Sequence, residues 1–154
     1  MEASPQYQTS HLTVYLAGSI DAHADIEAAK AWRDEAAEVL IAAGYRVLNP
    51  LRWPADTYQD SAGIMQRNMV DILTSDIVLT EMDNPAISYI GTGIDIFQAY
   101  QFGKEIILWG QANRGSHALR HYAPVRFETL GDALNELVTR NQNLRGAMTN
   151  GSAS

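Results

Sequence analysis

Apolar residues recur along this chain in two rhythms, and the switching between them lays out the elements. Leu12 to Ala17 is a compact apolar run with β-branched and aromatic members that ends at Gly18-Ser19, the pattern of a buried strand opening onto a glycine turn. From Asp25 to Ala43 the apolar positions Ile26, Ala29, Trp32, Ala36, Val39, Leu40 and Ala43 recur mostly at three and four. That spacing predicts an amphipathic helix with Asp25 as its N-cap and Gly44 as its stop. Tyr45 to Leu48 predicts a short second strand closed by Asn49-Pro50, and the loop Leu51 to Asp60 carries Arg52, Trp53, Pro54 and Tyr58. Ala62 to Thr74 reads as a second helix, Asp76 to Thr80 as a third buried strand, and Glu81 to Ile90 as a loop marked by Asp83-Asn84-Pro85. Gly91, Thr92 and Gly93 predict a bend of small residues. Behind it Ile94, Phe97 and Ala99 onward to Phe102 keep helical spacing, so Asp95 is expected in the first turn of a helix that stops at Gly103-Lys104. Glu105 to Trp109 predicts a fourth strand, residues 110 to 123 are rich in turn formers, Val125 to Glu128 predicts a short fifth strand, and Leu130 to Thr139 a last helix.

Strands separated by helices imply right-handed βαβ crossovers and a parallel sheet covered on both faces. The expected fold class is therefore α/β, a three-layer α/β/α, flavodoxin-like doubly wound parallel sheet of about five strands. A single domain is expected over residues 11–142, between a disordered segment 1–10 and a flexible tail 143–154. In such sheets a ligand sits outside the carboxyl ends of the strands, near the point where strand order reverses. The stretches that carry chemistry fall at those ends: Gly18-Ser19, Pro50 to Tyr58, Glu81 to Asp95, and Gly110 onward.

Composition narrows the classes. A chain of 154 residues with 46% hydrophobic and 19% charged residues is that of an ordinary globular domain. Its formal net charge of −7 argues against a binder of nucleic-acid backbones, whereas small anions remain accessible through helix N-termini and local cations. The absence of cysteine excludes disulfides, zinc-thiolate sites and thiol catalysis. No apolar run reaches membrane-spanning length and Met1 to Ser10 is polar, so the expected location is the cytoplasm.

Two acids stand out. A helix N-terminus would hold Asp95 ionised, as a nucleophile or charge stabiliser, but Thr92-x-x-Asp95 equally fits a variant capping box in which the acid only ties back to the cap. Asp71 shares a helix face with Asn68, three residues earlier. If that face turns to the crevice, the two acids meet and split each other's pKa values, one becoming a proton donor, as cleavage of a glycosidic bond requires. Other motifs weaken on inspection. Gly91-Thr92-Gly93 lacks the third glycine of the dinucleotide fingerprint, where Ile96 stands, and does not follow the first strand. His117 and His121 are four apart but have no third ligand in view, so no metal and no cofactor is expected.

Tyr15-Leu-Ala-Gly-Ser19, Trp32, Val47-Leu-Asn-Pro50, Asn68-x-x-Asp71, Ser75-Asp76-Ile-Val-Leu79, Gly91-Thr-Gly-Ile-Asp95, and Ala99 followed by Gly103-Lys104 resemble, in order and spacing, the nucleoside 2-deoxyribosyltransferase family. The superfamily includes the 2'-deoxynucleoside 5'-phosphate N-hydrolases, to which the Gly18-Ser19-Ile20 turn is similar. The resemblance implies that Asp95 is a nucleophile attacking the anomeric carbon of deoxyribose, that Tyr15 orients it, and that Asp71 contacts the base and handles its proton. Gly18, Ser19 and Ser88 would hold the sugar or its 5' group. Asn68, Tyr89, Gly91 and Thr92 would complete the substrate site, with Trp53 and Tyr58 over the base. It further implies a homo-oligomer in which a neighbour completes each site. Two departures are visible: family members usually carry Glu at the position of Asp95, and often a small or acidic residue at that of Tyr89. A carboxylate one methylene shorter sits more than an ångström back, and a misplacement of that size costs roughly a hundredfold. Three readings follow: deoxyribosyl transfer between nucleobases, hydrolysis of deoxynucleoside 5'-monophosphates, and a nucleotide-binding module with impaired catalysis.

Overall fold

The computed structural model describes residues 11–20, 26–54 and 60–150. Five parallel strands, β1 (Thr13–Ala17), β2 (Arg46–Leu48), β3 (Ile77–Glu81), β4 (Glu105–Trp109) and β5 (Arg126–Phe127), form one sheet in the order β2-β1-β3-β4-β5. Strand order reverses between β1 and β3, which pair directly with Tyr15 opposite Val78. A crevice is expected at the carboxyl ends of these two strands.

Side-chain alternation along the strands sorts the core into two layers. Val14, Leu16, Ile77, Leu79, Ile107 and Trp109 face α1 (Ile26–Ala42) and α5 (Leu130–Asn150), where Trp32 meets Trp109 edge to face at 5.6 Å. Tyr15, Ala17, Val78, Ile106 and Leu108 face the opposite way, onto the layer of α2 (Ser61–Thr74), α3 (Ile90–Gln101) and α4 (His117–Tyr122). Tyr15 is thereby delivered to the side of the sheet that carries Asp71 and Asp95. The strand order and parallel pairing agree with the fold expected from the sequence.

Several boundaries differ, each for a local reason. α4 lies in the stretch read as turns; at six residues it is too short to show a helical period, and Ser116 caps it by accepting from the Leu119 N–H at 3.3 Å. Pro50–Arg52 is a turn of 3-10 helix inside the expected loop, capped by Asn49 accepting from the Leu51 N–H at 2.9 Å. α5 continues to Asn150 rather than ending at Thr139. Gly91, Thr92 and Gly93 do not bend the chain but lie within α3, which starts at Ile90. α1 and α3 stop as expected at Gly44 and Gly103, each in a paired turn: Tyr45 N–H to Leu40 O and Gly44 N–H to Ile41 O, then Lys104 N–H to Ala99 O and Gly103 N–H to Tyr100 O. The N-cap expected at Asp25, the loop residue Tyr58 and segment 1–10 lie outside the described residues. Among the described residues no helix is long and apolar enough to cross a membrane.

At the end of β4, Gly110 has a φ of +112° and packs on the chain leaving β3. A Cβ there would stand 2.5 Å from Asp83 Cα and 2.6 Å from Met82 O. Gly110→Ala combines this backbone clash with a strained φ. It should cost about 3 kcal/mol or more of unfolding free energy, measured by urea denaturation.

Candidate functional site

The buried face of α3 is Thr92, Asp95, Ile96 and Ala99, an i, i+3, i+4, i+7 stripe that places a carboxylate among core-facing positions. Tyr89 is the N-cap residue, and Gly93 N–H bonds to its carbonyl at 2.8 Å. Asp95 therefore lies in the second turn, and Thr92, already inside the helix, cannot cap it. The capping reading of Thr92-x-x-Asp95 falls on this geometry.

Asp95 is 5% exposed. It accepts a hydrogen bond from the Tyr15 hydroxyl, while its Oδ1 is buried with no partner among the described residues. Burial pushes its pKa up to about 7, against the opposing pull of the Arg33 charge and the Tyr15 hydrogen bond. This reverses the expectation that a helix N-terminus would hold the group firmly ionised: the dipole fades within the first turn, and desolvation of a second-turn carboxylate outweighs it. Asp71 is not among the causes of the shift, contrary to the expectation that the two acids split each other's pKa values.

Arg33 was not legible as a site residue, yet it is fully buried. Its Nη1 donates to Ala29 O at 2.8 Å, Nη2 to Gly18 O at 2.9 Å and Nε to Leu16 O at 3.4 Å, and the guanidinium lies 4.7 Å from the Trp32 ring centroid. A Cβ on Gly18 would come within 3.1 Å of Arg33 Nη2 and Glu81 Cβ, so the small residue lets these groups approach the strand end. The signal was present: Arg33 stands four residues after Ala29 and three before Ala36, inside the apolar stripe of α1.

Asp71 is 6% exposed, not a solvated position. Arg52 clamps it with two bonds, Nη1 to Oδ2 at 2.8 Å and Nη2 to Oδ1 at 2.7 Å. The Arg52 guanidinium also lies 4.9 Å from the Trp53 ring centroid. The Tyr15 hydroxyl is held well above its ordinary pKa by burial, and then by the charges of Asp95 and Asp71. Tyr15 thus feels both acids.

A cavity of about 570 Å³ opens beyond the carboxyl ends of β1 and β2, between α1, α2 and α3. Gly18, Ser19, Trp53, Asn68, Gly91, Thr92 and Asp95, all picked out in the sequence, line it, together with Ile20, Lys30 and Leu51, which were not. Thr92 Oγ1 is buried without a partner among the described residues, a second open polar atom beside Asp95. Among the described residues, four of the sequence-chosen ones do not line the cavity: Tyr15 and Asp71, and on the β3–α3 loop Ser88 and Tyr89. Ser88 offers its backbone carbonyl to Ser19 Oγ at 3.1 Å. The Tyr89 hydroxyl accepts from the Asp83 and Asn84 N–H groups at 3.1 and 2.9 Å and bonds the Glu81 carboxylate, so it braces its own loop. His117 and His121 are exposed on α4, and no group of three metal-ligating side chains occurs among the described residues.

The family model described as nucleoside 2-deoxyribosyltransferase matches residues 14–144. No curated protein matches the chain. Solved structures share the fold at low identity. A conserved protein from Enterococcus faecalis V583 has a TM-score of 0.62 and 18% identity, covering 85% of this chain and 99% of its own. The 2-deoxyribosyltransferase of Bacillus psychrosaccharolyticus has a TM-score of 0.60 and 18% identity, covering 80% and 90%. The Clostridium botulinum CMP N-glycosidase has 0.57 and 20%, covering 81% and 97%.

Unfolded, Asp95 ionises near its ordinary 3.8; folded, it keeps its proton to about 7. Between those values the native state binds the extra proton, so this group's contribution to stability is lost as pH rises from about 4 to about 7. Asp95→Asn removes the penalty. Relative to the wild type it should gain on the order of 4 kcal/mol at about pH 8.5 over its value at about pH 4, read from urea unfolding at both pH values.

Proposed function

The chain belongs to the nucleoside 2-deoxyribosyltransferase family, and from that premise we propose that it breaks the N-glycosidic bond of 2'-deoxynucleosides and passes the deoxyribosyl group to another nucleobase. The observation that carries this reading is the state of Asp95: a buried carboxylate on a cavity wall, hydrogen-bonded by Tyr15, with one oxygen unsatisfied among the described residues. In the proposed reaction the ionised carboxylate of Asp95 attacks the anomeric carbon. The C–N bond breaks, and the electron pair leaves with the base, which takes up a proton. A second base then displaces Asp95 and loses a proton in turn. Tyr15, bonded to one oxygen, fixes the direction of attack, and Arg33 supports the anionic form of Asp95 from behind the strand end. Asp71 is the acid proposed to tend the base. Each of its oxygens accepts one bond from Arg52 and keeps a second lone pair, so a base can meet Asp71 beside the guanidinium or meet the guanidinium itself. No cofactor enters the scheme.

A second reading, hydrolysis of 2'-deoxynucleoside 5'-monophosphates, is favoured by Lys30 and Ser19 as lining residues; to hold a phosphate, Lys30 Nζ would leave Asp34, at 2.9 Å, and Ser19 Oγ would leave the Ser88 carbonyl, at 3.1 Å. Incubation with deoxyinosine plus adenine, and separately with each deoxynucleoside monophosphate, separates the two. A new nucleoside supports transfer; free base without a new nucleoside supports hydrolysis; no base release at high enzyme concentration leaves a binding module.

The proposed nucleophile fixes a pH profile. Because Asp95 must lose its proton to attack, kcat/KM should rise with pH along a limb whose apparent pKa lies near 7. Asp95→Asn should lower kcat/KM by about 10³-fold or more while the fold persists. Asp95→Glu restores the residue usual in the family and should keep or raise activity.

We also propose that the chain assembles as a homo-oligomer through α2 and α3. Val70 and Leu73 on α2, with Ile90, Ile94 and Phe97 on α3, leave a large apolar surface exposed. Sedimentation velocity should report a dimer or larger species, and Phe97→Glu should shift it toward the monomer. A monomeric wild type at about 100 times the assay concentration would remove this part of the proposal.

A further inference from the structure

A second cleft, about 340 Å³, lies between α4 and the β4–β5 edge and shares no lining residue with the Asp95 cavity. One side is apolar, built from Leu108, Leu119 and Pro124; the other carries Arg114, Arg120 and Arg126. Three of the eleven Lys and Arg residues in a chain of net charge −7 thus converge on one small concavity.

The three are held differently. Arg126 is fixed by the main chain: Nε donates to Gly110 O at 2.9 Å, and Nη2 to Met82 O at 3.0 Å and to Ala112 O. Its Nη1 has no acceptor among the described residues. Arg114 makes one bond, Nη2 to Glu128 Oε1 at 3.0 Å, in a pair whose side chains are 49% and 70% exposed and therefore weakly held. Arg120 has no acid partner among the described residues. Burial and then the neighbouring Arg114 charge lower the pKa of Arg126, opposed by Asp83 and then Tyr89. An anion entering the cleft would lie among three guanidinium-bearing side chains, and a forked guanidinium matches phosphate oxygens better than a point charge does.

We propose that this cleft is a binding site for a phosphate-bearing small molecule, with Arg126 as its fixed base, Arg114 and Arg120 as movable arms, and the Leu108–Leu119–Pro124 wall receiving the organic part. A small ligand suits the geometry better than a polynucleotide, because the cations enclose one concavity rather than forming a stripe, and the chain as a whole is acidic.

The test is calorimetric titration of the full chain with inorganic phosphate and with phenyl phosphate at constant ionic strength, for the wild type, Arg114→Gln and Arg120→Gln. Neither substitution touches the backbone anchors of Arg126, and unliganded thermal midpoints verify folding. The expected result is saturable binding, weakened tenfold or more in each variant, with unchanged kinetics at the Asp95 cavity. Tighter binding of phenyl phosphate than of phosphate supports the role given to the apolar wall. Equal binding by all three proteins, or no saturable binding at millimolar phosphate, overturns the proposal. So does a single-stranded oligonucleotide that binds more tightly than either phosphate and loses its affinity in the same variants.

Discussion

The Arg33 guanidinium, sunk completely beneath the carboxyl end of β1, ties the first helix to the strand that begins the crevice. Its three main-chain acceptors lie on both elements, and an ion so buried is tolerated only because those carbonyls replace lost water. The same charge reaches Asp95 on the far side of the sheet edge and partly offsets the desolvation that raises its pKa. One residue thus couples the packing of α1 to the ionisation of the group proposed to do chemistry. Tyr15 completes the arrangement, since β-strand alternation turns it away from Arg33's layer and toward the two acids.

Much of the architecture was legible because buried parallel strands and long amphipathic helices leave strong periodic signals. β4 was read at its observed bounds, and the stops at Gly44 and Gly103 were marked by residue type alone. The failures were local. α4 is shorter than the window over which a helical period can be recognised. The start of α3 was hidden because small residues at 91–93 resemble a bend, although helix geometry accommodates them.

For the site, residue type and position at the strand ends were readable, but environment was not. Spacing put Asp71 and Asn68 on one face without revealing the Arg52 clamp, which depends on how a separate loop folds back. Asp95 was assigned the electrostatics of a helix end when burial decides them. Arg33 does not stand out in the sequence because a charged residue in a helix is ordinarily solvated, even where its neighbours at three and four are core. Tyr89 looked like a departure bearing on substrate, whereas its hydroxyl serves the loop.

That loop has a mechanical meaning. A single phenol gathers two amides and a carboxylate, so the turn from β3 into α3 is stitched from within, and Ser19 fastens it to the end of β1. Opposite stands a side in which Arg52, forked onto Asp71 and bonded to the Asn49 carbonyl, lies beside the half-exposed indole of Trp53. The chamber is an anvil facing a jaw: in the reaction proposed above, accommodation of bases of unequal size would fall to the jaw, while the anvil would keep the Asp95 carboxylate aimed.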